Sequence, residues 1–269
     1  MTRPLFSVVT VTLNAGDDLL STVKSLNNQN MDSYEHIVKD GGSSDNSLIS
    51  LPSDSRRRVI VKPDIGIYEA MNQSLDYCEG QYVVFLNAGD CFYDCNVLET
   101  VAINAKDAGY PNIIYTDIHN NRIGWLFRYP SKLSRSFLYR KSICHQATYI
   151  KRTCYSSYGR FDLEFKIIAD NEYLLRLLSK GETACHCPII GIKYKDCGFS
   201  ALSENATSLA EETDKIRRRY FSRSERFWYG LAWFFTFPRL RVWILNQSNL
   251  NALWIPYTKL ANLWNRNTH

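Results

Sequence analysis

Short apolar runs alternate with helical patterns along the first third of the chain. Residues 6–13 form a continuous apolar, largely β-branched run, which is typical of a strand buried on both faces. Four apolar positions then recur at the spacing of one helix face: Leu19, Leu20, Val23 and Leu26. Three further strands are predicted at 34–39, 59–61 and 81–86, and one helix is predicted at 67–77. This alternation predicts an α/β fold with a mostly parallel sheet flanked by helices.

The second half of the chain has a less regular pattern. Strands are predicted at 113–118, 125–128 and 189–194, and a helix at 169–178 with its apolar residues on one side. A charged helical pattern follows from 202 to about 221. The sequence therefore predicts one α/β domain that is extended by helices at its C-terminal end.

Polar residues cluster where the predicted parallel strands end. Asn14, Asp40 and Asp64 each follow one of the first three strands, and Asn87 and Asp90 follow the fourth. In open α/β sheets, ligands bind beyond the carboxyl ends of the strands. Packing alone gives no reason to concentrate Asp, Asn and Gly there, so we expect the functional site at this edge.

Charge divides the chain into two predicted domains. The 269 residues are 45% hydrophobic, which excludes a disordered chain. Residues 1–214 carry 22 basic and 26 acidic side chains, whereas residues 215–269 carry ten basic side chains against one acidic one, Glu225. We therefore predict a catalytic domain over 1–214 and a basic, aromatic tail over 215–269.

The tail also holds five of the six tryptophans, which sharpens the prediction about its partner. Basic residues beside Trp and Phe favour an amphipathic helix on an anionic membrane surface, and packing on the catalytic domain is the alternative. The aromatic content exceeds what phosphate binding needs, so we do not predict nucleic acid as the partner of the tail.

The longest apolar run, 227–237, is too short to span a bilayer, and the N-terminus lacks a signal-peptide pattern. We expect a cytoplasmic protein bound peripherally to the inner membrane.

Six segments in a fixed order resemble the inverting family 2 glycosyltransferases of the GT-A (Rossmann-like) fold, especially bacterial enzymes that assemble O-antigen, capsule or colanic-acid-type polysaccharide. They are SVVTVTLN at 7–14, DGGSSD at 40–45, DIGIYEAMN at 64–72, FLNAGD at 85–90, HQ at 145–146 and ADNE at 169–172. The resemblance implies transfer of one sugar from a UDP-sugar, such as a UDP-hexose or UDP-N-acetylhexosamine. With the membrane tail, it implies a polyprenyl-diphosphate-linked saccharide as acceptor.

The resemblance also assigns donor-binding residues: Thr12, Asn14, Asp40, Asp64, Gly66, Asn72 and Asn87. Asp40 matches the family residue that accepts a hydrogen bond from the nucleobase, although it could instead cap the next helix. Asp64 is expected to hold the nucleoside or, equally, to cap the helix after it. Gly66 allows the backbone to approach a ligand closely.

A metal and a base complete the implied chemistry. Asp90 matches the last residue of the family's acidic motif, whose first aspartate is replaced here by Asn87, so we predict a weak Mn²⁺ or Mg²⁺ site with Asp90 as chief ligand. Asp170 matches the family's catalytic base, and a cap of its helix is the simpler alternative. His145, Gln146 and Glu172 are expected on the acceptor side.

Two other classes of function remain alternatives. The substitution of Asn87 leaves open a catalytically weakened GT-A-fold module that binds nucleotide and membrane. A nucleotide-dependent oxidoreductase is disfavoured because the turn at 14–17, NAGD, lacks the glycine-rich phosphate loop that such enzymes need after their first strand.

Overall fold

The structure is a computed structural model of the chain and describes residues 3–121, 124–195 and 206–235. These residues divide into two compact units. The first holds the described residues up to Tyr129 together with Ile143–Thr213. The second holds Pro130–Ser142 together with the described residues from Asp214 onward.

The first unit is built on one mixed sheet. Its described strands are β1 (Phe6–Thr12), β2 (Tyr34–Asp40), β3 (Arg57–Val61), β4 (Tyr82–Phe85), β5 (Cys91–Phe92), β6 (Ile113–Asn120), β7 (Trp125–Phe127), β8 (Thr148–Lys151) and β9 (Ala184–Tyr194). They lie in the order β3-β2-β1-β4-β8-β6-β9-β5, with β7 beside β6. Strands β1 to β4 are mutually parallel, whereas β8 runs antiparallel to both β4 and β6.

Helices flank this sheet within the first unit, and the second unit contains helices of its own. The described α-helices are α1 (Asp17–Asn27), α2 (Ile67–Ser74), α3 (Val97–Asp107), α4 (Arg135–Arg140), α5 (Arg152–Ser157), α6 (Ala169–Ser179), α7 (Ala206–Tyr220) and α8 (Arg223–Phe235). A mixed sheet flanked by helices confirms the predicted α/β fold class.

Strand β1 forms the centre of the core. All seven of its residues are buried, as expected for a β-branched run covered on both faces. Gly80, just before β4, is required by this packing, because a Cβ at that position would lie 2.5 Å from the backbone nitrogen of Ser7. In register, Thr12 at the end of β1 lies beside Asp40, which in turn lies beside Val61. The strand ends, and the polar residues after them, therefore meet at one edge.

The second unit is held together by aromatic and ionic contacts. The ring of Tyr139 in α4 lies 5.3 Å from that of Phe221 and 5.5 Å from that of Tyr229. The Arg135 side chain pairs with Glu225 at 2.5 Å. Among the described helices, none is long and apolar enough to cross a membrane. The remainder of the predicted tail, 236–269, lies outside the described residues.

Candidate active site

A cavity of about 590 Å³ opens in the first unit beyond the ends of β1 and β4. Eight of the residues predicted from the sequence line it: Thr12, Asp64, Gly66, Asn87, Asp90, His145, Gln146 and Asp170. The other four lie outside its lining: Asn14, Asp40, Asn72 and Glu172. The folded chain thus brings the proposed metal ligand and the proposed base to one cavity, although they are far apart in sequence.

Asp170, the second residue of α6, is held by two side chains. Its Oδ1 accepts a hydrogen bond from the Tyr68 hydroxyl at 2.8 Å, and its Oδ2 lies 3.0 Å from Nδ1 of His145. Burial acts to raise the pKa of Asp170, but the hydrogen bonds from His145 and Tyr68 and from the Asn171 backbone outweigh it and lower the pKa. The carboxylate is therefore an anion at neutral pH.

His145 and Gln146 join the two sides of the cavity. If Nδ1 of His145 donates its proton to Asp170, its Nε2 accepts a hydrogen bond from the Asn87 amide, 2.9 Å away. Gln146 donates to Oδ2 of Asp90 at 2.9 Å. These two neighbouring residues lie in a short 3₁₀ turn before β8, so one rigid turn orients both Asp170 and the FLNAGD motif.

Asp90 is almost fully buried, and this burial raises its pKa. Its Oδ1 accepts a hydrogen bond from the backbone of Lys195 at 2.9 Å. Two buried oxygens of cavity-lining residues, Oδ1 of Asn87 and Oγ1 of Thr12, have no hydrogen-bond partner among the described residues. The described residues contain no group of three His, Cys, Asp or Glu side chains that could hold a metal alone. The donor set thus fits a cation held by Asp90 and the Asn87 carbonyl only when a diphosphate supplies further oxygens.

Asp40 is buried, and the structure shows it in a turn-capping role. It accepts hydrogen bonds from the backbone of Gly42 and Ser43, both at 2.7 Å, and from the Ser43 hydroxyl at 2.5 Å. Its predicted contact with a nucleobase stays a prediction.

Asp64 reaches the cavity and is paired behind it with a buried lysine. Its Oδ2 lies 2.7 Å from Nζ of Lys39, which also donates to the carbonyls of Lys62 and Asp40. A Cβ on Gly41 would lie 3.1 Å from Oδ2 of Asp64, so this position leaves little room for a side chain. The sequence had offered a helix cap as the alternative for Asp64; its ion pair with Lys39 was not predicted.

The remaining three predicted residues hold segments around the cavity. Asn14 accepts from the Ser44 backbone at 2.9 Å. Both ends of the Asn72 amide bond the backbone of Phe161, at 2.9 and 3.0 Å. Glu172 is buried and forms an ion pair with Arg176, one turn later in α6. Their roles towards a substrate stay predictions.

The structure adds cavity residues to which the sequence assigned no role. Tyr68 lies inside a recognised motif, but its contact with Asp170 becomes apparent only in the folded chain. Asp18 and Lys195 form an ion pair at 2.6 Å on the cavity wall, 177 positions apart in the chain. Residues this far apart in the chain form no local sequence pattern, so their ion pair could not be predicted.

Comparison with known proteins gives consistent results. The sequence profile described as Glycosyl transferase family 2 matches residues 7–164. A PGL/p-HBAD biosynthesis glycosyltransferase of Mycobacterium tuberculosis is 29% identical over 184 residues, which cover 66% of this chain and 72% of that protein.

Solved structures match the fold. S. aureus TarS 1-349 in complex with UDP-GlcNAc superposes with a TM-score of 0.66 at 15% identity, covering 94% of this chain and 79% of that chain. The mannosyltransferase PcManGT from Pyrobaculum calidifontis, in complex with GDP-Man and Mn²⁺, gives a TM-score of 0.58 at 13% identity and covers 98% and 88%. At these identities the likeness concerns the fold alone.

Proposed function

The chain belongs to glycosyltransferase family 2, and we propose that it moves one sugar from a UDP-sugar to a lipid-linked saccharide with inversion at the anomeric carbon. The observation that carries this proposal is the position of Asp170, held by Tyr68 and His145 in the cavity that Asn87 and Asp90 also line. A UDP-sugar is favoured because the fold matches TarS, whose structure contains UDP-GlcNAc.

The proposed reaction is a single displacement. An acceptor hydroxyl attacks the anomeric carbon from the face opposite the diphosphate, the bond from the sugar to the diphosphate breaks, and UDP leaves with the electron pair. Asp170 takes the hydroxyl proton, for which its lowered pKa keeps it in the anionic form. His145 holds the carboxylate in place through Nδ1.

The FLNAGD motif is assigned to the diphosphate side. Asp90 and the Asn87 carbonyl would hold Mn²⁺ or Mg²⁺, and PcManGT, which shares the fold, was solved with Mn²⁺. When bound, the cation neutralises the charge of the leaving diphosphate. Gln146 and the Lys195 backbone fix the two oxygens of Asp90, which restricts how its carboxylate can turn.

We place the acceptor at a membrane surface because of the second unit. Helix α8 exposes Phe227 and Trp228, each 62% accessible, and basic side chains accompany them at Arg223 and Arg226. Apolar rings beside guanidinium groups suit the interface of an anionic bilayer. A lipid-linked acceptor would be presented at that surface.

The transfer reaction is tested with a panel of UDP-sugars and a polyprenyl-diphosphate saccharide acceptor in detergent. Asp170→Asn should lower turnover by about 10²-fold or more while UDP still binds, since the base is lost and the fold is kept. Asp107→Asn in α3, which is exposed, is the matched control and should keep full activity. UDP binding without turnover by the wild-type protein across the whole panel would favour the nucleotide-binding module instead.

Membrane association is tested by sedimentation with phosphatidylserine-containing vesicles. The double variant Phe227→Ser, Trp228→Ser should pellet several-fold less than wild type, because each buried aromatic contributes through its apolar area. Ile103→Ser removes an apolar side chain that is 56% exposed on α3 and serves as the control. Equal sedimentation of the double variant and the wild type would contradict docking through α8.

A further inference from the structure

Glu212, on α7, accepts hydrogen bonds from three consecutive backbone N–H groups. Its Oε1 lies 2.7 Å from the nitrogen of Lys166, and its Oε2 lies 3.0 Å from that of Ile167 and 3.1 Å from that of Ile168. All four residues belong to the first unit. A carboxylate with several acceptor sites can satisfy such a row of donors, whereas a neutral side chain of the same shape cannot.

The segment that Glu212 holds leads directly into α6. Ile168 is the N-cap residue of α6, and its side chain makes no capping hydrogen bond. Ile167 is buried, so its N–H would be costly to leave without a partner. A side chain from a distant helix therefore supplies the acceptor that local sequence does not.

The same segment is fixed from its other side by Tyr68. The Tyr68 hydroxyl lies 2.8 Å from the carbonyl oxygen of Ile167 and 2.8 Å from Oδ1 of Asp170. The hydroxyl has one proton, which these two acceptors share. Ile167 is thus held at its N–H by Glu212, and its carbonyl shares the Tyr68 proton with Asp170. Lys166 and Ile167 also line the cavity that contains Asp170. A shift of this segment would carry the start of α6, and Asp170 with it.

We propose that Glu212 is a positioning residue for the transfer reaction: it fixes residues 166–168 so that Tyr68 and His145 can hold the Asp170 carboxylate against the acceptor hydroxyl. The inference rests on the proposed function, in which Asp170 is the base. Glu212 is not among the residues that line the cavity, and it acts through the backbone of residues 166–168.

Electrostatics at Tyr68 support this arrangement. Burial raises the pKa of Tyr68 well above its ordinary value, and the charges of Asp170 and Glu212 raise it further. The hydroxyl therefore remains protonated and can donate to the base. Among the described residues, the titratable groups His145, Cys144 and Tyr129 also interact with Asp170.

The test compares Glu212→Gln with Glu211→Gln in the full chain. Both variants remove one negative charge from neighbouring positions of α7, but Glu211 is exposed. We call the contact of Glu212 with the backbone of residues 166–168 the clamp. Hydrogen–deuterium exchange of the peptide that spans 163–170 measures how firmly the clamp holds this segment, and it requires no enzymatic activity. Steady-state kinetics from pH 4 to 9 measure its effect on the base.

We expect faster exchange in that peptide for Glu212→Gln alone, with kcat lowered about tenfold to a hundredfold and KM for the donor nearly unchanged. Loss of the bond from Tyr68 should raise the pKa of Asp170, so the acid limb of kcat/KM should move to higher pH. Glu212→Asp should restore part of kcat, because it restores the carboxylate.

The contrary results distinguish among the clamp, the positioning of Asp170 and the proposed function. Unchanged exchange in Glu212→Gln would overturn the clamp. Faster exchange with an unshifted acid limb, or with activity lost equally at every pH, would overturn positioning of the base and leave a purely structural contact. Absence of transfer by the wild type and by Glu211→Gln would instead refute the proposed function, while the exchange result would still decide the clamp.

Discussion

Asp170, the proposed base, is kept anionic by its neighbours more than by its place at the start of a helix. A helix N-terminus favours an anion, but burial of this carboxyl acts in the opposite direction and raises the pKa. The hydrogen bonds from His145 and Tyr68 reverse that effect. The base therefore depends on side chains 25 and 102 positions away in the sequence.

Removing the hydroxyl of Tyr68 should move the pH profile in a defined direction. In Tyr68→Phe the pKa of Asp170 rises, because one stabilising hydrogen bond to the anion is lost. The base is active when deprotonated, so the acid limb of kcat/KM should shift to higher pH, and activity near pH 8 should fall less than activity near pH 5. A pH–rate profile of both proteins measures this.

Tyr173→Phe provides the comparison for that experiment, since Tyr173 is a buried tyrosine whose hydroxyl has no hydrogen-bond partner in the described structure. The acid limb of kcat/KM for Tyr173→Phe should match that of the wild type. An equal shift in both variants would mean that the hydroxyl of Tyr68 does not act on Asp170.

Lys195 should contribute to the binding of a nucleoside diphosphate. Its ammonium group lies on the cavity wall beside Asp18, and both side chains are about half exposed. In Lys195→Met, UDP should bind about tenfold more weakly, because a charged hydrogen bond to phosphate is lost and Asp18 is left to repel the ligand. Calorimetric titration with UDP measures the change.

Lys193→Met is the control for Lys195, because Lys193 lies two positions earlier, in β9, with its ammonium group over the ring of Tyr93. Thermal stability should change little in Lys195→Met, since an exposed ion pair contributes at most about 1 kcal/mol. Similar UDP affinity in the two variants would contradict the assignment.

Eight of the twelve site residues predicted from the sequence line the cavity, whereas several of the side chains that hold them were not predicted. Asp90 and Asp170 stand in short motifs at the ends of predicted elements, and such positions follow from local pattern. Lys39, buried behind Asp64, looks like an ordinary charged residue in a strand until the fold shows its ion pair. Contacts between distant segments depend on tertiary packing, which leaves no periodicity to detect.

At the scale of elements, the sequence predicts the four parallel strands β1 to β4 and the antiparallel pair of β6 and β7 within a few residues, but it misses the short strands β5 and β8. Strands β1, β2, β3 and β4 are apolar runs bounded by turns, and each is found within a few residues of its predicted limits. Strand β8 has only four residues and was not predicted, because its place between β4 and β6 depends on partners far along the chain. Helix α3 and the short α4 were also missed.

Two glycines should respond to alanine in opposite ways. Gly80→Ala should destabilise the protein by about 1–3 kcal/mol, because the new Cβ would meet backbone atoms of Phe6 and Ser7 that cannot move freely. Gly230→Ala in α8 should be neutral or stabilising by up to about 1 kcal/mol, since the nearest atom is 3.7 Å away and alanine favours helix. Chemical denaturation of both variants measures this, and equal effects would contradict the packing at β4.

At the scale of the whole molecule, the sequence predicts a basic, aromatic tail from residue 215 onward, and this boundary stays a prediction. In the structure, the described residues from Asp214 onward belong to the second unit. That unit also contains Pro130–Ser142. The contacts of the Tyr139 ring in this segment with the rings of Phe221 and Tyr229 could not be predicted from local sequence pattern.

Binding of the protein to anionic vesicles should weaken as salt rises. The tail contributes ten basic side chains, and each Lys or Arg near an anionic surface is worth about 1 kcal/mol at low salt. Raising NaCl from 50 to 500 mM shortens the screening length and should release most of the bound protein, whereas vesicles of phosphatidylcholine alone should retain little at either salt concentration. Binding that is independent of salt would show that the basic residues do not contribute.

The order of strands in the sheet also sets the order in which the chain can fold as it is synthesised. Strand β4 has β8 as its outer neighbour, and β8 leaves the ribosome about 65 residues later, which takes roughly 3–13 s at 5–20 residues per second. During that interval the edge of a nascent four-stranded sheet is uncovered and can pair with other chains. A nascent chain arrested before Thr148 should therefore recruit chaperones and aggregate on release, whereas one arrested well after Lys151 should resist proteolysis.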